Sequence, residues 1–172
     1  MTVQMAAIEN LNALDDDHLR ETLLKCSGSP VWCEEMARVR PFADLKDFME
    51  KSGRAWEKLS TYDWLEAFSS HPKIGDVASL RKKFASTEAW ASAEQSGVRS
   101  ASEETLTGLL EGNAKYEERF GHIFIVCASG KTADEMLSIL NGRLGNEPHV
   151  ELGIASAEHK KITQLRIEKL QP

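Results

Sequence analysis

The segment His71-Pro72-Lys73-Ile74-Gly75-Asp76 places an imidazole directly before a proline. Proline disfavours the α conformation in the residue before it. His71 is therefore expected at or just past a helix C-terminus, where the helix dipole favours an imidazolium. A ring held there suits a general acid or base. It equally suits a plain cap on the last helical carbonyls, and spacing alone leaves both readings open. Glu94-Gln95-Ser96-Gly97 sets a carboxylate beside a carboxamide. Together they offer the donors and acceptors that a ureido group needs, or they form an ordinary solvated pair. Phe120 to Cys127 is either core or the wall of an apolar pocket whose backbone groups face a ligand. Arg166, between Leu165 and Ile167, either clamps a carboxylate bidentately or lies on the surface of the last helix.

Other chemistries find little support. His18, His71, His122, His149 and His159 show no HxxxH or HxH spacing, and neither cysteines nor carboxylates complete a set, so no metal site is expected. There is no GxGxxG or GxxxxGK[ST] for a nucleotide, and no GxSxG elbow. With 21 Lys plus Arg against 27 Asp plus Glu, the net charge is −6, which argues against a nucleic-acid partner. The apolar and charged fractions, 41% and 28%, are those of an ordinary globular chain, so disorder is not expected. The apolar run Ile123 to Ala128 is too short to span a bilayer, so no membrane partner is expected. The cysteines, Cys26, Cys33 and Cys127, are odd in number and lack CxxC spacing, which reads as thiols of a reducing compartment. No signal peptide and no SKL-type address are read, and a cytoplasmic location is the expectation. Trp32, Trp56, Trp64 and Trp90 read as core or interface anchors.

The elements that must position these residues read mostly as helices. A length of 172 residues with no repeat and no long linker suggests one domain over residues 1–172. Leu11, Leu14, Leu19 and Leu23 mark one or two short helices, with Asp15 to Asp17 as caps and Ser27-Gly28-Ser29-Pro30 as a stop. A helix over 31–38 ends before Pro41. The next, over 45–51, is expected to stop at Ser52-Gly53, with Gly53 as its left-handed terminal residue. Ser60 to Asp63 forms a capping box for a helix carrying Trp64, Leu65 and Phe68. Short helices are expected over 77–83 and 88–95, and a long one over 102–120. Thr132 to Glu135 is a second capping box, opening a helix with Met136, Leu137, Ile139, Leu140 and Leu144 inward. Glu147-Pro148 opens the last helix, with Ile154, Ala157, Ile162, Leu165 and Leu170 facing the core. Phe120 to Cys127 has the composition of a strand but no partner strand, so a buried extended or helical connector is expected. The fold class is all-α, a compact multi-helix bundle.

In order along the chain, these pieces resemble the 2-oxo-4-hydroxy-4-carboxy-5-ureidoimidazoline (OHCU) decarboxylases of urate catabolism. His71 to Asp76 matches their HPxIGD signature, and Glu94 to Gly97 their EQxG segment. Asn113, Tyr116, Phe120, Gly121 and Phe124 match NxxYxxxFGxxF, and Phe124 to Cys127 continue that segment. Arg143-Leu144-Gly145-Asn146-Glu147 and Leu165-Arg166-Ile167 match the C-terminal pieces. The resemblance runs from about Leu11 to Leu170. It implies an all-α, cofactor-free enzyme, often a homodimer, that converts OHCU to (S)-allantoin and CO2. It assigns catalytic roles to His71, Glu94 and Arg166. It also implies that Pro72, Gln95 and the segment Phe124, Ile125, Val126, Cys127, Ala128 and Ser129 line the substrate site. The family serine three residues before the EQ glutamate is here Ala91, so Ser92 stands in as the candidate hydroxyl. Two rivals are a ureido or cyclic-amide hydrolase using a His–Glu pair, and a non-enzymatic helical interaction module.

Overall fold

A computed structural model describes residues 3–73, 75–82 and 101–170. Its helices are α1 (Val3–Ala13), α2 (Asp16–Ser27), α3 (Pro30–Arg38), α4 (Leu45–Glu57), α5 (Thr61–Ser69), α6 (Glu103–Phe120), α7 (Ala133–Arg143) and α8 (Pro148–Glu168). Residues 77–82 are also helical, and no strand occurs among the described residues. The fold is all-α, as the sequence indicates.

Side-chain caps set most of the helix starts. Asp15 accepts from the backbone N–H groups of Asp17 and His18 at 3.1 and 3.0 Å. Ser60 with Asp63, and Thr132 with Glu135, close reciprocal capping boxes. Each such cap is worth about 1 kcal/mol. Gly28 ends α2 at φ 67°, and a Cβ there would lie 2.1 Å from Ser70 Oγ, so only glycine fits. One stop signal is overridden. Gly53 does not end α4; the helix continues to Glu57 and buries Ala55 and Trp56. Burying those two apolar side chains outweighs roughly 1 kcal/mol of glycine helix penalty.

The chain packs as two compact units, one of residues 1–71 with 156–172 and the other of residues 72–155. The first has its core in Leu11, Leu19, Leu23, Trp32, Phe48 and Ile167, among others. Trp32 is fully buried and its Nε1 donates to the Ser52 carbonyl at 3.1 Å, so its polar handle is satisfied.

The second unit pairs α6 with α7 around Leu106, Leu109, Tyr116, Met136 and Leu140. The pair approaches closely at Gly112, where a Cβ would meet Leu140 Cδ2 at 2.6 Å. The connector over 121–129 is neither helix nor strand. Side chains supply the bonds that a neighbouring strand would otherwise give. Arg143 Nη1 donates to the Ile125 carbonyl at 2.8 Å, and Lys131 Nζ to the Cys127 carbonyl at 2.8 Å.

The last helix presents a different face from the one its isoleucines and leucines indicate. Ala157 is exposed, and Ile154, Ile162 and Leu165 are only half-buried. The fully buried positions are Glu151, Ala155, Ser156, His159, Thr163 and Ile167. Four of these six are polar, so an apolar periodicity cannot find this face.

Candidate functional site

His71 follows α5 directly, and its backbone N–H donates to the Phe68 carbonyl at 3.2 Å. The position is the one that Pro72 requires, just beyond the helix. The His71 ring is half-buried and meets the ring of His159 edge to face, with centroids 4.9 Å apart and planes at 89°.

His159, on α8, is fully buried. Trp56 stacks on it at 4.6 Å with planes 4° apart, and Phe68 lies 5.6 Å away. The Trp56 ring is itself fixed, since its Nε1 donates to Ser156 Oγ at 3.0 Å. Thr163 Oγ1 lies 3.4 Å from His159 Nδ1, and His159 Nε2 has no hydrogen-bond partner among the described residues. Burial, then the nearby His71 and Arg166 charges, pull the His159 pKa down to about 3. The ring is therefore neutral throughout the physiological range.

Arg166 lies seven residues after His159 on α8, two helical turns along roughly the same side. Its Nη1 donates to the Cys26 carbonyl at 3.2 Å, with the Lys25 carbonyl at 3.5 Å. The guanidinium is half-buried and aimed by the C-terminal carbonyls of α2, whose partial negative charge suits a cation. The same arginine works against burial at Cys26, whose thiol is nonetheless pushed up to about 11. His71, far from His159 in sequence, thus meets its buried imidazole within the first unit, which also holds Arg166.

Glu94, Gln95 and Ser92 lie outside the described residues. Pro72 is exposed and belongs to the second unit, as do residues 124–129. There, Ile125 and Cys127 are buried, Phe124, Val126 and Ala128 are half-buried, and Ser129 is exposed. The carbonyls of 125 and 127 already accept bonds from Arg143 and Lys131.

Arg143 is the keystone of that segment. Its guanidinium lies 4.7 Å from the Phe124 ring centroid and forms a buried ion pair with Glu151, with Nε 2.7 Å from Oε1. Tyr116 donates its hydroxyl to the same carboxylate, and Asn146 Nδ2 donates at 2.8 Å. Burial works to raise the Glu151 pKa, but the bonds from Arg143, Tyr116 and Asn146 outweigh it and hold the carboxyl below its usual value. Burial, then the bond to Glu151, push the Tyr116 phenol up.

Sequence reasoning passed over His159, treating it only as a failed metal ligand. Its signal was the 4-and-3 spacing of His159, Thr163 and Arg166, three polar groups along one side of a helix. No group of three or more His, Cys, Asp or Glu placed to hold a metal ion occurs among the described residues. No helix there is long and apolar enough to cross a membrane.

Comparison with known proteins adds the following. A family model described as OHCU decarboxylase matches residues 12–168. The uric acid degradation bifunctional protein TTL of Arabidopsis thaliana is 38% identical over 147 residues, covering 84% of this chain and 45% of the plant protein. This chain therefore spans less than half the length of that relative. A 2-oxo-4-hydroxy-4-carboxy-5-ureidoimidazoline decarboxylase of Amia calva is 31% identical over 141 residues, covering 82% of this chain and 80% of its own. A crystal structure of an OHCU decarboxylase in the presence of (S)-allantoin superposes with a TM-score of 0.71 at 34% identity, covering 91% of this chain and 97% of that one.

Proposed function

The chain belongs to the OHCU decarboxylase family, and on that premise we propose that it decarboxylates OHCU to (S)-allantoin and CO2 in urate degradation. The observation that carries the reading is the family match over residues 12–168; beside it, the first unit holds both His71 and Arg166, two of the three residues to which the resemblance assigns catalytic roles. The family match extends over both compact units, so the reading treats residues 1–172 as one functional domain.

OHCU bears its carboxylate and a hydroxyl on C4, next to the C5=N imine. As the C4–carboxylate bond breaks, the electron pair moves into that imine. The substrate provides its own electron sink, so the reading needs no cofactor. The enol-like intermediate then takes a proton at C5 on one face, and the C4 hydroxyl becomes the allantoin carbonyl.

In this reading His71 hydrogen-bonds the C4 hydroxyl and takes or relays its proton. Help of this kind is worth roughly 10²–10⁴-fold in rate. Glu94 orients the ureido or ring N–H groups and shares the proton relay, with Gln95 and Ser92 beside it. Arg166 holds the departing carboxylate. Neutralising that charge favours the ground state, since CO2 leaves uncharged. The arginine's benefit is therefore directional: it aims the breaking bond perpendicular to the ring. Its anchorage on the α2 carbonyls supports such a role. Pro72 and Phe124 to Ser129 complete the lining, and a cytoplasmic homodimer is part of the same reading.

The test is circular dichroism and product analysis of enzymatically generated OHCU with and without the chain. The reading expects accelerated, one-handed allantoin formation with release of CO2. An open-chain acid that keeps its carboxylate makes the chain a hydrolase instead. An unchanged decay rate leaves a non-enzymatic module.

A further inference from the structure

Resting on that reading, we propose that Gly28, which ends α2, is a positioning residue that sets the spacing between His71 and Arg166. The last turn of α2 touches the supports of both. On one side, the carbonyls of Cys26 and Lys25 take the Arg166 guanidinium at 3.2 and 3.5 Å. On the other, Gly28 abuts Ser70, the residue directly before His71. A Cβ on Gly28 would lie 2.1 Å from Ser70 Oγ, 2.6 Å from Ser70 Cβ and 3.2 Å from the Ala67 carbonyl oxygen. The ends of α2 and α5 therefore meet with no room for another carbon between them. Neither end is loose. The Gly28 N–H donates to the Leu24 carbonyl at 2.8 Å. Its neighbours Ser27 and Ser29 are fully buried, and the Ser29 N–H donates to Ser27 Oγ at 3.1 Å. Ser70 Oγ donates to the Ala67 carbonyl at 2.6 Å, and the His71 N–H donates to that of Phe68. The turn, Ser70, His71 and Arg166 all lie in the first unit.

A plain helix stop does not need this fit. Gly121 and Gly130 also have positive φ, 75° and 73°, yet a Cβ on either meets nothing within 4 Å. Alanine in that backbone region carries a modest strain wherever it sits. At Gly28 it also pushes the end of α5 away from the end of α2. The push falls between the residue before His71 and the carbonyls that aim Arg166. The spacing of those two side chains is set by packing, since they come from distant parts of the chain. A misplacement of about 1 Å between groups acting on one substrate costs on the order of 10²-fold in rate.

The experiment compares the parent, Gly28→Ala, Ser70→Gly and the double variant Gly28→Ala with Ser70→Gly, all in the full chain. Folding is checked by near-ultraviolet circular dichroism, and kcat and KM are measured on OHCU. Nitrogen NMR follows the His71 ring and the Arg166 Nε. Gly28→Ala is expected to shift both sets of signals, to lower kcat roughly 10- to 100-fold and to raise KM about fivefold, because the turn reaches both residues. A smaller folded fraction lowers kcat alone and leaves KM unchanged. Ser70→Gly removes the atoms that the new Cβ meets first. Adding Gly28→Ala to Ser70→Gly is therefore expected to change kcat by less than about threefold and to leave the signals of Ser70→Gly in place. Parent-like His71 and Arg166 signals in folded Gly28→Ala overturn the proposal, as does an unchanged KM. A double variant as slow as Gly28→Ala also overturns it, as does one that fails to fold, since the backbone angle alone then demands glycine. Should Gly28→Ala not fold, the double variant decides by its kcat against that of Ser70→Gly. If the parent itself does not accelerate OHCU decay, the functional reading fails, while the signals still decide whether the α2 turn couples His71 to Arg166.

Discussion

The Arg166 guanidinium is tied to the carbonyl of Cys26 at the end of α2, 3.2 Å from Nη1. One edge of the fork is thereby used to aim the group, as a carboxylate-orienting role requires. Arg166→Lys keeps the charge but loses the planar fork. KM for OHCU is expected to rise roughly tenfold with kcat little changed, and stability to fall by about 0.3–1 kcal/mol from the lost helix-end contact. Steady-state kinetics and a thermal melt check both. A fall in kcat at constant KM assigns the arginine a transition-state role instead.

Arg143 and Glu151 form a buried ion pair that also holds the Ile125 carbonyl. Arg143→Met leaves the Glu151 carboxylate without its countercharge and is expected to cost about 3–5 kcal/mol, read from urea denaturation. The double variant Arg143→Met with Glu151→Leu is expected to recover much of that loss. Activity is not expected to recover with it, because the connector over 121–129 still lacks its side-chain donor.

Acid stability carries a signature of His159. In the unfolded chain this histidine titrates near its ordinary 6.5, and in the native protein near about 3. Between those values the unfolded chain binds a proton that the native one does not. Its contribution is complete above the higher value and is lost as pH falls toward the lower. By pH 4.5 the loss is about 2–3 kcal/mol. Glu151, held below its usual value, has the same sign at lower pH. Denaturation midpoints from pH 7 to 4.5 are expected to fall less steeply in His159→Phe by about that amount. Parallel curves for the two proteins contradict a buried neutral imidazole.

Much of the fold was legible because local signals and tertiary packing agree. Asp15, Ser60 and Thr132 read as caps and are caps. His71 falls where Pro72 requires it. Gly53 misled because a helix stop is a weak preference and buried Ala55 and Trp56 are a stronger one. The last helix misled for a different reason. Its inward face carries Glu151, Ser156, His159 and Thr163, and each takes part in a specific polar or ring contact. Hydrophobic periodicity detects burial driven by the solvent, not burial driven by such pairs. The connector was legible as an unpaired strand-like segment, but the identity of its donors, Arg143 and Lys131, was not. Glu94 and its neighbours rest on the motif alone.

The account turns on His71, and the most direct measurement compares the parent with His71→Asn. Both are given freshly generated OHCU, and the appearance of (S)-allantoin is followed by circular dichroism. Asparagine keeps a polar group of similar reach but cannot relay a proton near neutral pH. The expected result is a folded variant whose rate is down by roughly 10²–10⁴-fold, with allantoin appearing racemic at the pace of spontaneous decay. A folded His71→Asn protein that still produces (S)-allantoin at near-parent rate contradicts the account.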